Sequence, residues 1–139
     1  MLNLVTGPNG SGKTQKLIGY ANEALESSKG LIAYIDKSDK HRLAIDNNIK
    51  FINASEFPLS GVELFEGFVL GLMTGNYDLN QIYIDNIMKI TKIEDAEELT
   101  KILEVLTGIA RKYEVKLTLT LDSDVAEKIK SESLNIKQI

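Results

Sequence analysis

The chain of 139 residues contains no cysteine and no tryptophan, and it has only one histidine and two prolines. The lack of cysteine excludes disulfides and thiolate metal sites, and it is compatible with a reducing cytoplasm. A single histidine excludes a multi-histidine metal site, and we interpret His41 as a surface-loop residue. The length is that of one domain, and neither proline divides it. We therefore predict a single domain over residues 1–139.

Arginine is also scarce, and the lysines are scattered along the chain. Arginine occurs only as Arg42 and Arg111, and the formal net charge is −4. An acidic chain without a basic face is poorly suited to nucleic acid, whose phosphates need neutralisation, so we do not expect nucleic-acid binding. No apolar run approaches the roughly 20 residues that span a bilayer, and the first strand leaves no room for a signal peptide. These absences predict a cytoplasmic protein with no membrane partner.

The most specific feature present is a glycine-rich octapeptide, Gly7-Pro8-Asn9-Gly10-Ser11-Gly12-Lys13-Thr14. It matches G-x-x-x-x-G-K-[ST], the P-loop or Walker A pattern. An apolar strand precedes it, from Leu2 to Val5, and helical spacing follows from Thr14 to Ser28. Backbone N–H groups and the helix dipole both favour negative charge at such a turn. The motif therefore predicts a nucleoside triphosphate site formed by all eight residues.

Individual residues of the octapeptide have distinct physical roles. The three glycines permit backbone conformations and a close phosphate approach that a Cβ would block. Lys13 would place its ammonium against the β- and γ-phosphate oxygens, as a binding and catalytic residue, and Thr14 would offer its hydroxyl to Mg²⁺. No Asn-Lys-x-Asp guanine signature occurs. We therefore expect ATP rather than GTP, with Mg²⁺ as the metal.

Apolar strands alternate with helical patterns along the rest of the chain, which is typical of a parallel sheet with helices on both faces. Further strands are predicted at Leu31 to Ile35, Ile49 to Ile52, Gln81 to Asp85, Val115 to Leu121 and Leu134 to Ile139. Capping-box spacing predicts helix starts at Ser60 and Thr91. A short helix is predicted from Ser123 to Lys130, and Gly30 is predicted as the C′ residue of the first helix. The pattern predicts an α/β fold.

A second motif, Ile82-Tyr83-Ile84-Asp85, is an apolar strand that ends in a carboxylate. It resembles a Walker B element, and ligands of open α/β sheets collect at that edge. Asp85 would hold Mg²⁺ near the γ-phosphate through a metal-bound water or through Thr14. Asn86 follows, where many ATPases carry a glutamate that orients the attacking water. That replacement suggests poor hydrolysis.

With these motifs, the chain resembles the RecA-like P-loop ATPase superfamily. Three further segments carry the resemblance, namely Ala33 to Asp39, Ile82 to Ile87 and Ile109 to Asp122. The resemblance implies a three-layer fold with a mainly parallel sheet. With the strands numbered in chain order from the P-loop strand, and without the short strand at Ile49, the implied order is about 5-1-4-3-2. The strand from Val115 then lies between the P-loop strand and the Asp85 strand. The long DNA-binding loops of the recombinases have no space here, so we do not expect DNA strand exchange or helicase activity.

The resemblance also implies roles for single residues. The superfamily's water-orienting glutamate follows the second strand, where this chain has Asp36 on the strand end and then Asp39, which is either a general base or a solvated loop carboxylate. Thr120 matches the sensor threonine in the nucleotide site. Asp122 stands where the family has glutamine, and it is alternatively a helix N-cap. Arg42 is a candidate finger toward a neighbouring subunit, should the chain form a homo-oligomer.

Three functions are consistent with these motifs. The first is a slow RecA-like ATPase that requires Mg²⁺. The second is a nucleotide-binding module without turnover, which acts as a regulator or assembly partner of another protein. The third is a small-molecule kinase, ranked last because such kinases usually carry an arginine-rich lid and this chain has two arginines.

Overall fold

The computed structural model describes residues 2–129 and 134–139. Within them it has six strands: β1 (Leu2–Gly7), β2 (Leu31–Asp36), β3 (Lys50–Asn53), β4 (Leu79–Asp85), β5 (Lys116–Asp122) and β6 (Ile136–Gln138). Every pairing is parallel, in the order β3-β2-β4-β5-β1-β6. The predicted α/β class is confirmed, and the predicted short strand near Ile49 lies at one edge of the sheet.

The same described residues form five α-helices between the strands: α1 (Lys13–Ala24), α2 (Val62–Gly75), α3 (Ile87–Thr91), α4 (Ala96–Tyr113) and α5 (Ser123–Ala126). Successive strand side chains alternate between two buried clusters. In the cluster with α1, Leu17 and Ala21 join Val5, while Leu4 joins α2 and α4 in the other cluster. Helices therefore pack on both faces of the sheet.

Helix α4 forms because a continuous apolar stripe faces the core and both of its ends are complemented. The buried positions are Leu99, Ile102, Leu103, Leu106, Thr107 and Ala110. The side chain of Asp95 accepts from the Glu98 N–H (3.3 Å), and basic residues occupy the last turn. The predicted cap at Thr91 is wrong. Thr91 ends the unpredicted helix α3, and its hydroxyl donates to the Ile87 carbonyl (2.7 Å).

Two other predicted boundaries are also wrong. Helix α1 ends at Ala24, so Gly30 is not its C′ residue. A Cβ at Gly30 would instead collide with the Asp78 carbonyl, because the chain passes another backbone closely as it enters β2. Helix α2 begins after its N-cap residue Gly61, which has a φ of 92°. The described residues make no side-chain capping bond there, so the predicted capping box at Ser60 is not formed. Lys130, the predicted end of the helix from Ser123, lies outside the described residues.

Parallel pairing gathers the carboxyl ends of the strands at one edge of the sheet. The register pairs Gly7 of β1 with Asp122 of β5, and Asp36 of β2 with Asp85 of β4. The last residues of four strands therefore meet at this edge, and three of them are carboxylates. In the described ranges, no helix has both the length and the apolar character needed to cross a membrane.

Candidate functional site

The glycine loop, Gly7 to Thr14, joins β1 to α1 at the carboxyl edge. Gly10 and Gly12 have φ values of 80° and 89°, which favour glycine. Gly12 is the N-cap of α1, and no side chain caps the first N–H groups of that helix within the described residues. A Cβ at Gly7 would meet the Ser11 Oγ, so the loop is tightly folded. The result is a helix N-terminus whose N–H groups are available to an anion.

The Lys13 ammonium is held inside this loop. Its Nζ donates to the carbonyl oxygens of Gly7 (3.0 Å) and Pro8 (2.9 Å), and it forms an ion pair with Asp122 Oδ1 (3.0 Å). The Lys13 side chain is 12% exposed, whereas that of Asp122 is 45% exposed. Asp122 occupies the N-cap position of α5 but makes no side-chain capping bond. Its carboxylate is paired with the lysine instead.

Asp85 is the buried carboxylate of the site, with only 2% of its surface exposed. Its Oδ1 accepts from the Thr120 hydroxyl (3.0 Å), which links the ends of β4 and β5. Its Oδ2 has no hydrogen-bond partner within the described residues. A buried carboxylate oxygen without a partner is costly unless a cation or water satisfies it. Oδ2 is therefore an atom that a divalent metal or a metal-bound water could use.

A cavity of about 390 Å³ brings these groups together, and we call it the glycine-loop cavity. Lys13 and Thr14 line it beside Asp85 and Thr120, which the sequence also assigned to the site. The lining further includes residues that sequence reasoning did not assign to a site, namely Lys37, Lys40, His41 and Lys89. His41 is half-buried and lines the cavity, which is more than the surface-loop role predicted for it. The cavity can accept an anion at the loop and a cation at Asp85.

Three residues of the predicted octapeptide belong to the loop but are not among the residues that line the cavity, namely Gly7, Pro8 and Ser11. Two residues predicted outside the octapeptide lie elsewhere. Asp39 is not among the residues that line the cavity; its side chain is 55% exposed and pairs with Arg42 Nη1 (3.2 Å). The Arg42 guanidinium also lies over the Phe51 ring, 5.3 Å from its centroid. The Asp39 carboxylate and the Arg42 guanidinium therefore bind each other, and neither residue lines the cavity.

A second buried carboxylate, Asp36, lies beside Asp85. Asp36 is fully buried; its Oδ1 accepts from the Lys37 N–H (2.7 Å), and its Oδ2 has no partner among the described residues. Burial, with a smaller contribution from the Asp85 charge, raises the pKa of Asp36 above its usual range, while Lys37 opposes that shift. Burial and the charges of Asp85 and Asp36 raise the pKa of Tyr34, whose hydroxyl likewise has no hydrogen-bond partner among the described residues. Strands ending in Asp at matching register could have indicated this acidic pair.

The site thus combines an open helix N-terminus, a lysine held by carbonyls and a carboxylate, and two buried carboxylates at neighbouring strand ends. Lys13 and the glycines of the site come from one short segment of the chain. Asp85, Thr120 and Lys89 come from distant parts of the chain. Comparison with models of protein families and with curated proteins finds no match for this chain.

Proposed function

We propose that the chain binds Mg-ATP in the glycine-loop cavity and hydrolyses it slowly, as a RecA-like P-loop protein with a Walker A and a Walker B element. One observation carries the proposal. The buried Asp85, with an unpartnered Oδ2, lines the same cavity as Lys13 and Thr14. An anion site and a cation site therefore adjoin each other, which is the arrangement that a metal-bound triphosphate requires.

The anion half of the site supports phosphate binding. The N-terminus of α1 offers N–H groups and partial positive charge, and Lys13 adds a full charge at its first residue. Lys37, Lys40 and Lys89 add further ammonium groups around the same cavity. The four lysines outnumber the two carboxylates that line the same cavity, and this excess of positive charge in a chain with net charge −4 favours an anionic ligand.

The metal half of the site supports Mg²⁺ in particular. Thr14 and Asp85 are the protein groups suited to hold it, and the Thr120 hydroxyl fixes the orientation of the Asp85 carboxylate. No group of three or more acidic or histidine side chains suited to a metal occurs in the part of the chain that the structure describes. Few protein ligands suit Mg²⁺, which usually keeps several waters and binds through one or two carboxylates and substrate phosphates.

The strand order supports the RecA-like assignment. Strand β5 lies between β1 and β4, β2 lies beyond β4, and β6 lies on the other side of β1. This is the neighbour relation that the resemblance implies. The glycine loop then follows an interior strand, next to the strand that carries Thr120.

A nucleotide-binding module without turnover is the second candidate, and the carboxylates of the site favour it. Asp122 is paired with Lys13, Asp39 with Arg42, and Asp36 is fully buried. Asp122 lines the cavity and is 45% exposed, but its Oδ1 is already bound to the Lys13 ammonium, while neither Asp36 nor Asp39 is among the lining residues. Slow hydrolysis and no hydrolysis are therefore the two outcomes to separate.

Single-turnover hydrolysis separates them, with enzyme in excess over labelled Mg-ATP. The proposed ATPase predicts measurable phosphate release by the wild type and release at background level by Lys13→Ala. Lys101→Ala, which removes an exposed lysine of α4 outside the cavity, serves as the control and should match the wild type. Background release by all three proteins would eliminate the ATPase and leave the binding module.

A further inference from the structure

A second cavity of about 380 Å³ adjoins the first at the carboxyl edge of the sheet, and we call it the lysine cavity. Its lining comes from the segments that follow three neighbouring strands: Lys37 after β2, residues 54, 55 and 57–60 after β3, and residues 89, 90 and 92 after β4. Lys37 and Lys89 line both cavities and so form the wall between them. Ligands of parallel α/β sheets bind outside the carboxyl ends of the strands, and the lysine cavity is a second such position.

Positive charge that is only partly compensated distinguishes the lysine cavity. Lys37, Lys89 and Lys92 line it, and none of its described lining residues is acidic. Lys89 and Lys92 form no ion pair within residues 2–129 and 134–139, while the Lys37 Nζ lies 4.0 Å from the buried Asp36 Oδ1. Three ammonium groups around one concave surface attract an anion, because the low-dielectric walls concentrate their field.

The remainder of the lining is largely apolar. Leu59 and Ile90 are buried beneath the cavity, and Phe57 and Pro58 add an aromatic ring and a proline ring. The Ser55 hydroxyl donates to Asn53 Oδ1 (2.7 Å), so that serine offers lone pairs rather than its proton. Ammonium groups on one wall and an apolar base suit a ligand that has an anionic group and an apolar body.

We infer that the lysine cavity binds a small organic anion, a phosphate or carboxylate attached to an apolar body, next to the glycine-loop ligand. Its volume lies within the range of small-molecule pockets, of roughly 300–1,000 Å³. The inference stands on the cavity itself and does not require the glycine loop to bind ATP. Because Lys37 and Lys89 face both cavities, occupation of one site changes the charge available to the other.

Phenyl phosphate is a suitable probe, titrated into the full chain and followed by amide chemical shifts in two-dimensional NMR. The glycine-loop cavity is first saturated with Mg-ADP. We expect saturable shifts at 54–60 and 89–92, tighter binding of phenyl phosphate than of inorganic phosphate, and no binding of phenol. Benzoate forms the second arm and tells whether a carboxylate satisfies the lysines as well as a phosphate does.

Variants then test the lysines. Lys92→Gln and Lys89→Gln should each weaken phenyl phosphate binding about fivefold or more, because each removes a charge-assisted contact. The matched variant Lys101→Gln should leave the affinity unchanged, and wild-type-like spectra of all three establish that they fold.

Shifts confined to 9–14, a failure to saturate, or equal affinities for Lys92→Gln and Lys101→Gln would overturn the inference. If Mg-ADP itself does not bind, the proposed function fails separately. The same titration with Lys13→Ala, whose glycine loop lacks its ammonium, then still reports on the lysine cavity.

Discussion

The glycine-loop cavity and the lysine cavity share one edge of the sheet and two lysines, yet they are built differently. In the first, much of the anion site is backbone, formed by glycines at positive φ and by the N-terminus of α1. In the lysine cavity, the proposed anion site consists of side chains from three separate segments around an apolar base. A site made of backbone depends on a continuous sequence, whereas a site made of side chains depends on the strand order that brings distant segments together.

That difference accounts for what could be predicted. The alternation of apolar strands and helical stripes was sufficient for the α/β class, and the octapeptide was sufficient to locate the glycine loop, because both signals are local. Contacts between side chains of different strands could not be predicted from such local signals. The Lys13–Asp122 ion pair depends on the pairing of β1 with β5, and the Asp36–Asp85 neighbours depend on the register of β2 with β4.

Errors at the helix ends have a related cause. Thr91 and Ser60 matched the capping-box spacing, but the actual N-caps are Asp95 and Gly61. Asp95 is the N-cap of α4 because its carboxylate accepts from the Glu98 N–H. Thr91 cannot take that position because it lies within α3. Local patterns therefore located the helices, and neighbouring structure decided where they begin.

Among the carboxylate variants, removal of the Asp85 charge should have the largest effect on the glycine-loop cavity. Asp85→Asn keeps an oxygen that can accept from Thr120 but loses the charge proposed to face Mg²⁺. We expect Mg²⁺-dependent nucleotide affinity to fall about tenfold, by analogy with the loss of one charged hydrogen-bond partner. Calorimetry with and without Mg²⁺ measures this.

The same variant also tests the separation of the two cavities. Binding without Mg²⁺ and binding of phenyl phosphate to the lysine cavity should both be unchanged in Asp85→Asn. An equal loss of affinity with and without Mg²⁺ would contradict a metal role for Asp85.

Asp122→Asn should have a smaller effect, in the opposite direction. It frees the Lys13 ammonium from a carboxylate that competes with an incoming phosphate and repels it. Partly exposed ion pairs contribute at most about 1 kcal/mol, so we expect nucleotide affinity to rise by up to about fivefold. Asp124→Asn makes the same change of net charge two residues away and should leave affinity unchanged. Weaker binding in Asp122→Asn would show that this carboxylate assists the ligand.

Asp36→Asn tests how the buried Asp36 carboxylate affects the stability of the fold. Because the pKa of Asp36 is raised above its ordinary 3.8 in the folded state, folding favours the protonated form, and the wild type loses stability as the pH rises from 3.8 through the raised pKa. The neutral variant avoids that loss and should melt at a higher temperature near neutral pH. The advantage should disappear below the ordinary pKa.

Thermal denaturation followed by circular dichroism over a pH series measures this difference. Asp46→Asn is the matched control, since the Asp46 carboxylate is exposed and, like that of Asp36, accepts from a nearby backbone N–H. A stability difference between Asp36→Asn and wild type that does not vary with pH would show that the charge of Asp36 is not its cause.

The smallest effect is expected for Asp39→Ala. Its exposed pair with Arg42 is worth roughly 0.5 kcal/mol, and neither cavity is lined by Asp39. Single-turnover hydrolysis, nucleotide affinity and phenyl phosphate affinity should therefore all equal those of the wild type. A several-fold loss of turnover with unchanged nucleotide affinity would restore Asp39 as the general base.

Calorimetric titration of the wild type and Lys13→Ala with ATP, in the presence and absence of Mg²⁺, tests the central claim most directly. We predict saturable binding by the wild type that tightens with Mg²⁺. Lys13→Ala should bind about 10- to 100-fold more weakly, because it loses one charge-assisted contact with phosphate. Equal binding by the two proteins, or no binding by the wild type at millimolar ATP, would contradict a triphosphate site at the glycine loop.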